Sequence, residues 1–316
     1  MSVFLIALLA VGVLLLSAVP GFLLMKKKML SEDCIPGFSK VLLFVCQPCL
    51  AVYTFSTVPF STQMLINIGI FAILMIFIHA LMLGGTYLVL RKKAEKAIYR
   101  IITIGTTFGN CAFFGIPIIE ALLPVEASGL IVYTTVYAVV MNVLGWTVGS
   151  AIIAHDIKYM SVKKVFVNPA MIGVAAALLI YVSGIDFPTE LDNMISSAAR
   201  MATPLSMIVM GMRLATMDIK SMFTDVKIYL TVAVKQLLMP LIAFGTVMLL
   251  IALTDIDRSV LKVFFITCSC PAASIVLNFA EIVGEGQKSA ANLVLVSTLL
   301  SILTLPLMML LLPIIG

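Results

Sequence analysis

Two stretches of the chain hold the residue types best suited to recognising a charged small molecule. Thr106-Thr107-Phe108-Gly109-Asn110-Cys111 is followed by Gly115-Ile116-Pro117, and Thr267-Cys268-Ser269-Cys270-Pro271-Ala272-Ala273-Ser274 forms the second. Each interrupts a long apolar run with polar, helix-breaking residues. Proline removes a backbone donor and clashes with the preceding turn, and glycine adds backbone freedom, so both runs are expected to be broken helices. A helix that restarts after a break presents unpaired N–H groups and the positive end of its dipole, which suit a carboxylate. The Asn110 side chain adds an amide donor. The candidate anion-binding set is therefore Gly109, Asn110, Cys111, Cys270, Pro271 and Ala272. Tyr137 and Asn142 follow the first break directly and Ser297, Thr298 and Ser301 follow the second, placing them to line the same cavity or to hydrogen-bond between helices.

Charged groups inside apolar runs are costly and so are functional candidates. Arg200 lies either at mid-depth, where it would attract an anion, or near the outer end of its run. Lys235 is expected to extend to the cytoplasmic surface along its apolar stem, with a role in coupling as the alternative. Glu120 and Glu281 fall near the ends of their runs, as solvated or paired carboxylates or as proton sites, and His79 is a lone titratable group that suits packing better than a proton relay. His79 and His155 give no nucleophile–base set, so enzymatic chemistry is not expected. Cys46-Gln47-Pro48-Cys49 has CxxC spacing without a soluble redox context, and the six cysteines imply neither a disulfide framework nor a metal site. No cofactor is expected.

The elements that must position these residues are membrane helices. The chain has 316 residues, 62% hydrophobic and 11% charged, with a mean hydropathy of +1.19, which excludes a water-soluble globule. Apolar runs near 3–24, 38–58, 64–90, 98–123, 128–152, 165–184, 191–214, 226–252, 259–282 and 289–313 predict ten spans. The first reads as a span and not a cleaved leader, because it lacks a basic start and is followed by Lys26, Lys27 and Lys28. Basic residues gather in the odd-numbered loops, including Arg91, Lys92, Lys93, Lys158, Lys163, Lys164, Arg213, Lys220 and Lys288. Both termini are therefore expected outside the cytoplasm. Because these charges sit in short loops, the formal charge of +5 does not indicate nucleic acid as a partner.

Five spans per half, 1–155 and 165–316, joined by a short cytoplasmic linker at 156–164, oblige the halves to enter the membrane in opposite senses. A shift of 161 positions places Asn110 on Pro271, Pro117 on Asn278, Glu120 on Glu281, His79 on Pro240 and Gly84 on Gly245. A shift of 156 places Pro48 on Pro204. The expected fold is all-α and polytopic, with ten transmembrane helices as two inverted five-helix repeats whose fourth and ninth helices are broken and cross at one polar cavity.

At these residues the chain resembles the auxin efflux carrier family. Gly109-Asn110-Cys111-Ala112-Phe113-Phe114-Gly115-Ile116-Pro117 is similar to that family's first crossover, and Pro271 with Phe279-Ala280-Glu281 is similar to the second. Asn168-Pro169, Pro48 with Phe55-Ser56, and Gly211-Met212 fit as well, so the resemblance covers essentially the whole chain. It implies an elevator-type carrier related in fold to bile-acid/sodium symporters. Spans 1, 2, 6 and 7 would form a scaffold, with a homodimer through it, and spans 3–5 and 8–10 a mobile transport domain. It further implies that Asn110, Pro271 and Tyr137 contact the substrate at the crossover. Gly109 stands where plant carriers have proline, the central loop is short, and span 3 lacks the acidic and basic pair of some plant members. These departures point to a prokaryotic type of carrier in the cell membrane for a mono- or dicarboxylate such as malonate, malate or an auxin-like acid. Potential-driven movement and sodium- or proton-coupled symport are the two expected modes.

Overall fold

The computed structural model describes residues 1–185, 187–217, 222 and 224–316. Lys220, counted above among the loop cations, lies outside them. In chain order the helices are α1 (Val3–Lys26), α2 (Cys34–Ser56), α3 (Thr62–Lys93), α4 (Ala97–Gly105), α5 (Cys111–Leu122), α6 (Ala127–Ala154), α7 (Ile157–Val167), α8 (Pro169–Ser183), α9 (Thr189–Arg200), α10 (Ala202–Thr216), α11 (Val226–Leu253), α12 (Arg258–Cys268), α13 (Ile275–Val283) and α14 (Gln287–Ile315). Among the described residues there is no β-strand, and the one isolated bridge pairs Gly109 with Ala272.

Six of these helices, α1, α2, α3, α6, α11 and α14, are long and apolar enough to cross a membrane unaided. The pair α7 and α8, bent by 43° at Asn168, makes a seventh when counted as one span. The shorter helices α4, α5, α12 and α13 flank the two breaks expected at 106–110 and 269–274, and α9 joins α10 at Met201. Side-chain caps set several starts. The Ser61 hydroxyl accepts the Met64 N–H at 3.1 Å to open α3, and Asp257 accepts the Ser259 N–H at 2.9 Å to open α12.

Among the described residues four π-helical turns occur: Leu42–Cys46, Gly145–Gly149 and Val234–Leu238 interrupt long helices, and Cys111–Gly115 opens α5. Three of them end two residues before a proline: Pro48, Pro117 and Pro240. The proline's missing donor and its ring break the regular ladder, and the wider turn absorbs the mismatch without ending the helix. Each π turn also shifts the register of the helix beyond it.

Packing follows the two halves. Helix α1 lies against α10 so closely that a Cβ at Gly21 would collide with the Ile208 carbonyl, and one at Gly211 with the Ala18 carbonyl. Helix α2 lies against α8, where a Cβ at Gly173 would stand 2.5 Å from the Pro48 Cα. Small residues at such contacts are what lets helices associate where lipid removes the hydrophobic drive. The first helices of each half thus grip those of the other in the same way. Leu9, Val13, Leu16, Phe44, Ile73, Phe77, Leu179 and Leu253 are exposed along the outside, as a lipid-facing surface requires. Polar side chains turn inward, as where Thr54 and Thr135 share a hydrogen bond of 2.8 Å between α2 and α6.

Candidate functional site

The two breaks lie across one another. Asn110 N–H donates to the Pro271 carbonyl at 2.7 Å, and Ala273 N–H donates to the Phe108 carbonyl at 3.0 Å, closing an antiparallel bridge between Gly109 and Ala272. The outward N–H of each bridged residue is met by a hydroxyl from the second helix after its own break. Gly109 N–H donates to Tyr137 Oη on α6 at 2.7 Å, and Ala272 N–H donates to Ser297 Oγ on α14 at 3.1 Å. Each of these four groups would cost several kcal/mol if left unpaired in hydrocarbon, about 2–7 by transfer measurements. The backbone at Gly109 is closely covered, since a Cβ there would stand 2.8 Å from Tyr137 Oη and 3.2 Å from Lys235 Nζ, so a larger residue would displace one of these side chains.

Beside the crossing is a cavity of about 370 Å³, in the range of small-molecule sites. Ala112 and Phe113 from the first turn of α5 line it, as do Ser274 and Ile275 at the start of α13, so two helix N-termini face the same space. Asn110 stands at its wall, and among the described residues its side chain has no hydrogen-bond partner. Lys164 lines the cavity, and among the described residues no carboxylate does. A second cavity of about 780 Å³ shares Gln47, Asn110, Phe113, Ser274 and Asn278 with the first, and leads towards Glu32, Arg213, Glu281 and Lys288. Among the described residues no group of three His, Cys, Asp or Glu side chains is placed to hold a metal ion.

A family model described as membrane transport protein matches residues 6–160 and again residues 153–309. The chain belongs to the auxin efflux carrier family. Its two matches make it a two-repeat, multi-pass membrane protein of a transporter family. No curated protein matches the chain.

In this carrier Gly109, Asn110, Cys111 and Asn142 lie on the cavity wall. Asn142 is already engaged, donating to the Ala138 carbonyl at 2.8 Å and accepting from Asn168 Nδ2 at 2.9 Å. Tyr137, Cys270 and Ala272 are fully buried behind the crossing with Pro271, and the Tyr137 hydroxyl serves the Gly109 backbone. Ser297, Thr298 and Ser301 are also fully buried. Ser297 supports Ala272, while Thr298 and Ser301 donate within their own helix at 2.8 and 2.6 Å.

Lys235 does not reach the surface. It is fully buried beneath the crossing, with Nζ donating to the Cys268 carbonyl at 3.1 Å and lying 3.2 Å from Met239 Sδ. The expectation that it would extend to the membrane face fails because the π turn Val234–Leu238 lies against the crossing, and the open end of α12 offers a carbonyl within reach. Arg200 is exposed over the Tyr53 ring, 5.7 Å from its centroid, away from both cavities. Glu120 is exposed, and Glu281 pairs with Arg213 at 3.0 Å in the wall of the second cavity. His79 is buried against the rings of Phe108 and Tyr137, with Nδ1 2.7 Å from the Met75 carbonyl.

Gln47, Asn168 and Asn278 are wall residues not singled out as binding candidates from the sequence. Gln47 and Asn168 each precede a proline in an apolar run, which is the signal that was present. Gln236 was also missed. Fully buried next to Lys235, it donates to the Ser297 carbonyl at 2.7 Å and accepts from the Thr304 hydroxyl at 3.1 Å, tying α11 to α14.

Proposed function

We propose that this carrier moves a small organic anion, a mono- or dicarboxylate of about the size of malonate or malate, across the cell membrane by alternating access. The supporting observation is the pairing of an Asn110 amide that is unengaged among the described residues with two helix N-termini on one cavity that has no described carboxylate in its wall. A carboxylate oxygen accepts from such donors with charge assistance, worth roughly 1.5–3 kcal/mol per hydrogen bond. Thr134, Ser274 and Asn278 supply further polar contacts for the remainder of the anion.

The motion we propose is of the elevator type in a ten-span, inverted-repeat frame. α3–α6 and α11–α14 would move together, because the backbone bonds of the crossing join their broken helices, and α1, α2 and α7–α10 would stay fixed. The cavities lead to the face bearing Glu32, Lys164, Arg213 and Lys288. By the distribution of basic loops this is the cytoplasmic face, with both termini outside, so the conformation is inward-open. An inside-negative potential then suffices to drive an anion outward, since each elementary charge gains about 2.3 kcal/mol per 100 mV.

Equilibrium binding of malonate, malate and indole-acetate to the purified native protein and to Asn110→Ala tests the site. Saturable native binding that weakens at least about tenfold in the variant is expected. Binding of any of the three with equal affinity by both proteins contradicts it.

A further inference from the structure

We infer that the Lys235 ammonium is a built-in counter-cation for the carried anion, so that the loaded site crosses the membrane with its charge offset and the empty site returns carrying the lysine's charge. The inference rests on the anion-carrier reading above and adds where in the cycle charge moves.

Lys235 is fully buried, and the buried residues described include no Asp or Glu. Both described ion pairs lie elsewhere, between Arg100 and Glu285 and between Arg213 and Glu281. What Nζ does have is the Cys268 carbonyl at 3.1 Å and Met239 Sδ at 3.2 Å. Cys268 is the last residue of α12, where the carbonyls lack helical partners and the dipole end is negative, so the carbonyl is a suitable acceptor for the ammonium. Burying an ammonium without an anion is costly, and a negative group that arrives nearby offsets the cost.

The position makes such an anion available. Nζ lies 3.2 Å from where a Cβ of Gly109 would be, and Gly109 is itself part of the cavity wall. One residue without a side chain therefore separates the ammonium from the cavity that receives the α5 and α13 N-termini. The lysine thus takes up, against a helix-end carbonyl, the role that a co-transported cation would play in a symporter.

The charge balance is specific. With a monoanion the loaded site sums to zero and the empty site to plus one, whereas without the lysine charge the loaded site is minus one and the empty site neutral. Net transport moves one charge per monoanion in both cases. Self-exchange, which uses only the loaded form, does not.

The test is exchange of radiolabelled indole-acetate, a monoanion, against unlabelled indole-acetate in proteoliposomes clamped with potassium and valinomycin at zero and at inside-negative potential. The native protein is expected to exchange at the same rate at both potentials, Lys235→Arg likewise, and Lys235→Gln at rates that differ severalfold and with KM raised about tenfold. Malonate, a dianion, should exchange in a potential-dependent way even on the native protein. Potential-dependent indole-acetate exchange by the native protein, or potential-independent exchange by Lys235→Gln, overturns the inference. A native protein that exchanges neither probe contradicts the anion-carrier reading itself, which separates the two failures.

Discussion

Asn110 sits on the seam between structure and site: its backbone N–H is committed to Pro271, while its side chain stands at the cavity without a partner among the described residues. Removing that side chain should therefore affect the ligand more than the fold. Asn110→Ala is expected to lose about 1.5–3 kcal/mol of anion affinity, with a melting temperature in detergent close to that of the native protein. A large drop in melting temperature with unchanged affinity would reverse the assignment. Tyr137 is the opposite case, since its hydroxyl supports Gly109 from behind the wall. Tyr137→Phe leaves a buried N–H unpaired, so destabilisation of about 1–3 kcal/mol is expected in thermal unfolding. A variant as stable as the native protein would show that the Gly109 N–H has another partner.

At the level of elements, the breaks were legible because their causes are local: Gly109, Pro271 and the surrounding Thr, Ser and Cys residues break a helix wherever it packs. The register changes were less so. Pro48, Pro117 and Pro240 announce a distortion, but the π turns that absorb it depend on the neighbouring helices. Lys235 was misread for that reason. A long flexible side chain takes the direction its surroundings allow, and the sequence shows neither the open end of α12 nor the tight backbone at Gly109 that receive it. The hydroxyl partners Tyr137 and Ser297 were found as polar residues near the breaks, although their targets are backbone groups and not a ligand. Gly21 and Gly211 carry the tightest helix contact, and only the tertiary structure reveals it. Gly211→Val should force α1 and α10 apart, with a loss of several kcal/mol or failure to assemble, read as a collapse of the monodisperse peak in size-exclusion chromatography. A monodisperse variant with native stability would contradict the contact.

For the molecule as a whole, two matched repeats place the carrier in its family. The cavity leads to the face bearing Lys164 and Arg213. A Ser274→Cys variant in a Cys34→Ser background should therefore react with a membrane-impermeant thiol reagent from the cytoplasmic face, and more slowly once malonate fills the site. Reaction from the opposite face alone would invert the proposed orientation or conformation. Length, composition and basic loops made the membrane class legible in the sequence, but the cavity's shape, its lack of carboxylates and the unengaged Asn110 are products of packing that no local pattern encodes. The most direct test is flux of radiolabelled malonate, malate and indole-acetate in proteoliposomes with potential, sodium and pH imposed independently. Saturable flux that follows the potential when sodium and pH are equal on both sides is the predicted result. Flux that requires a sodium or proton gradient and ignores the potential would contradict a potential-driven anion carrier.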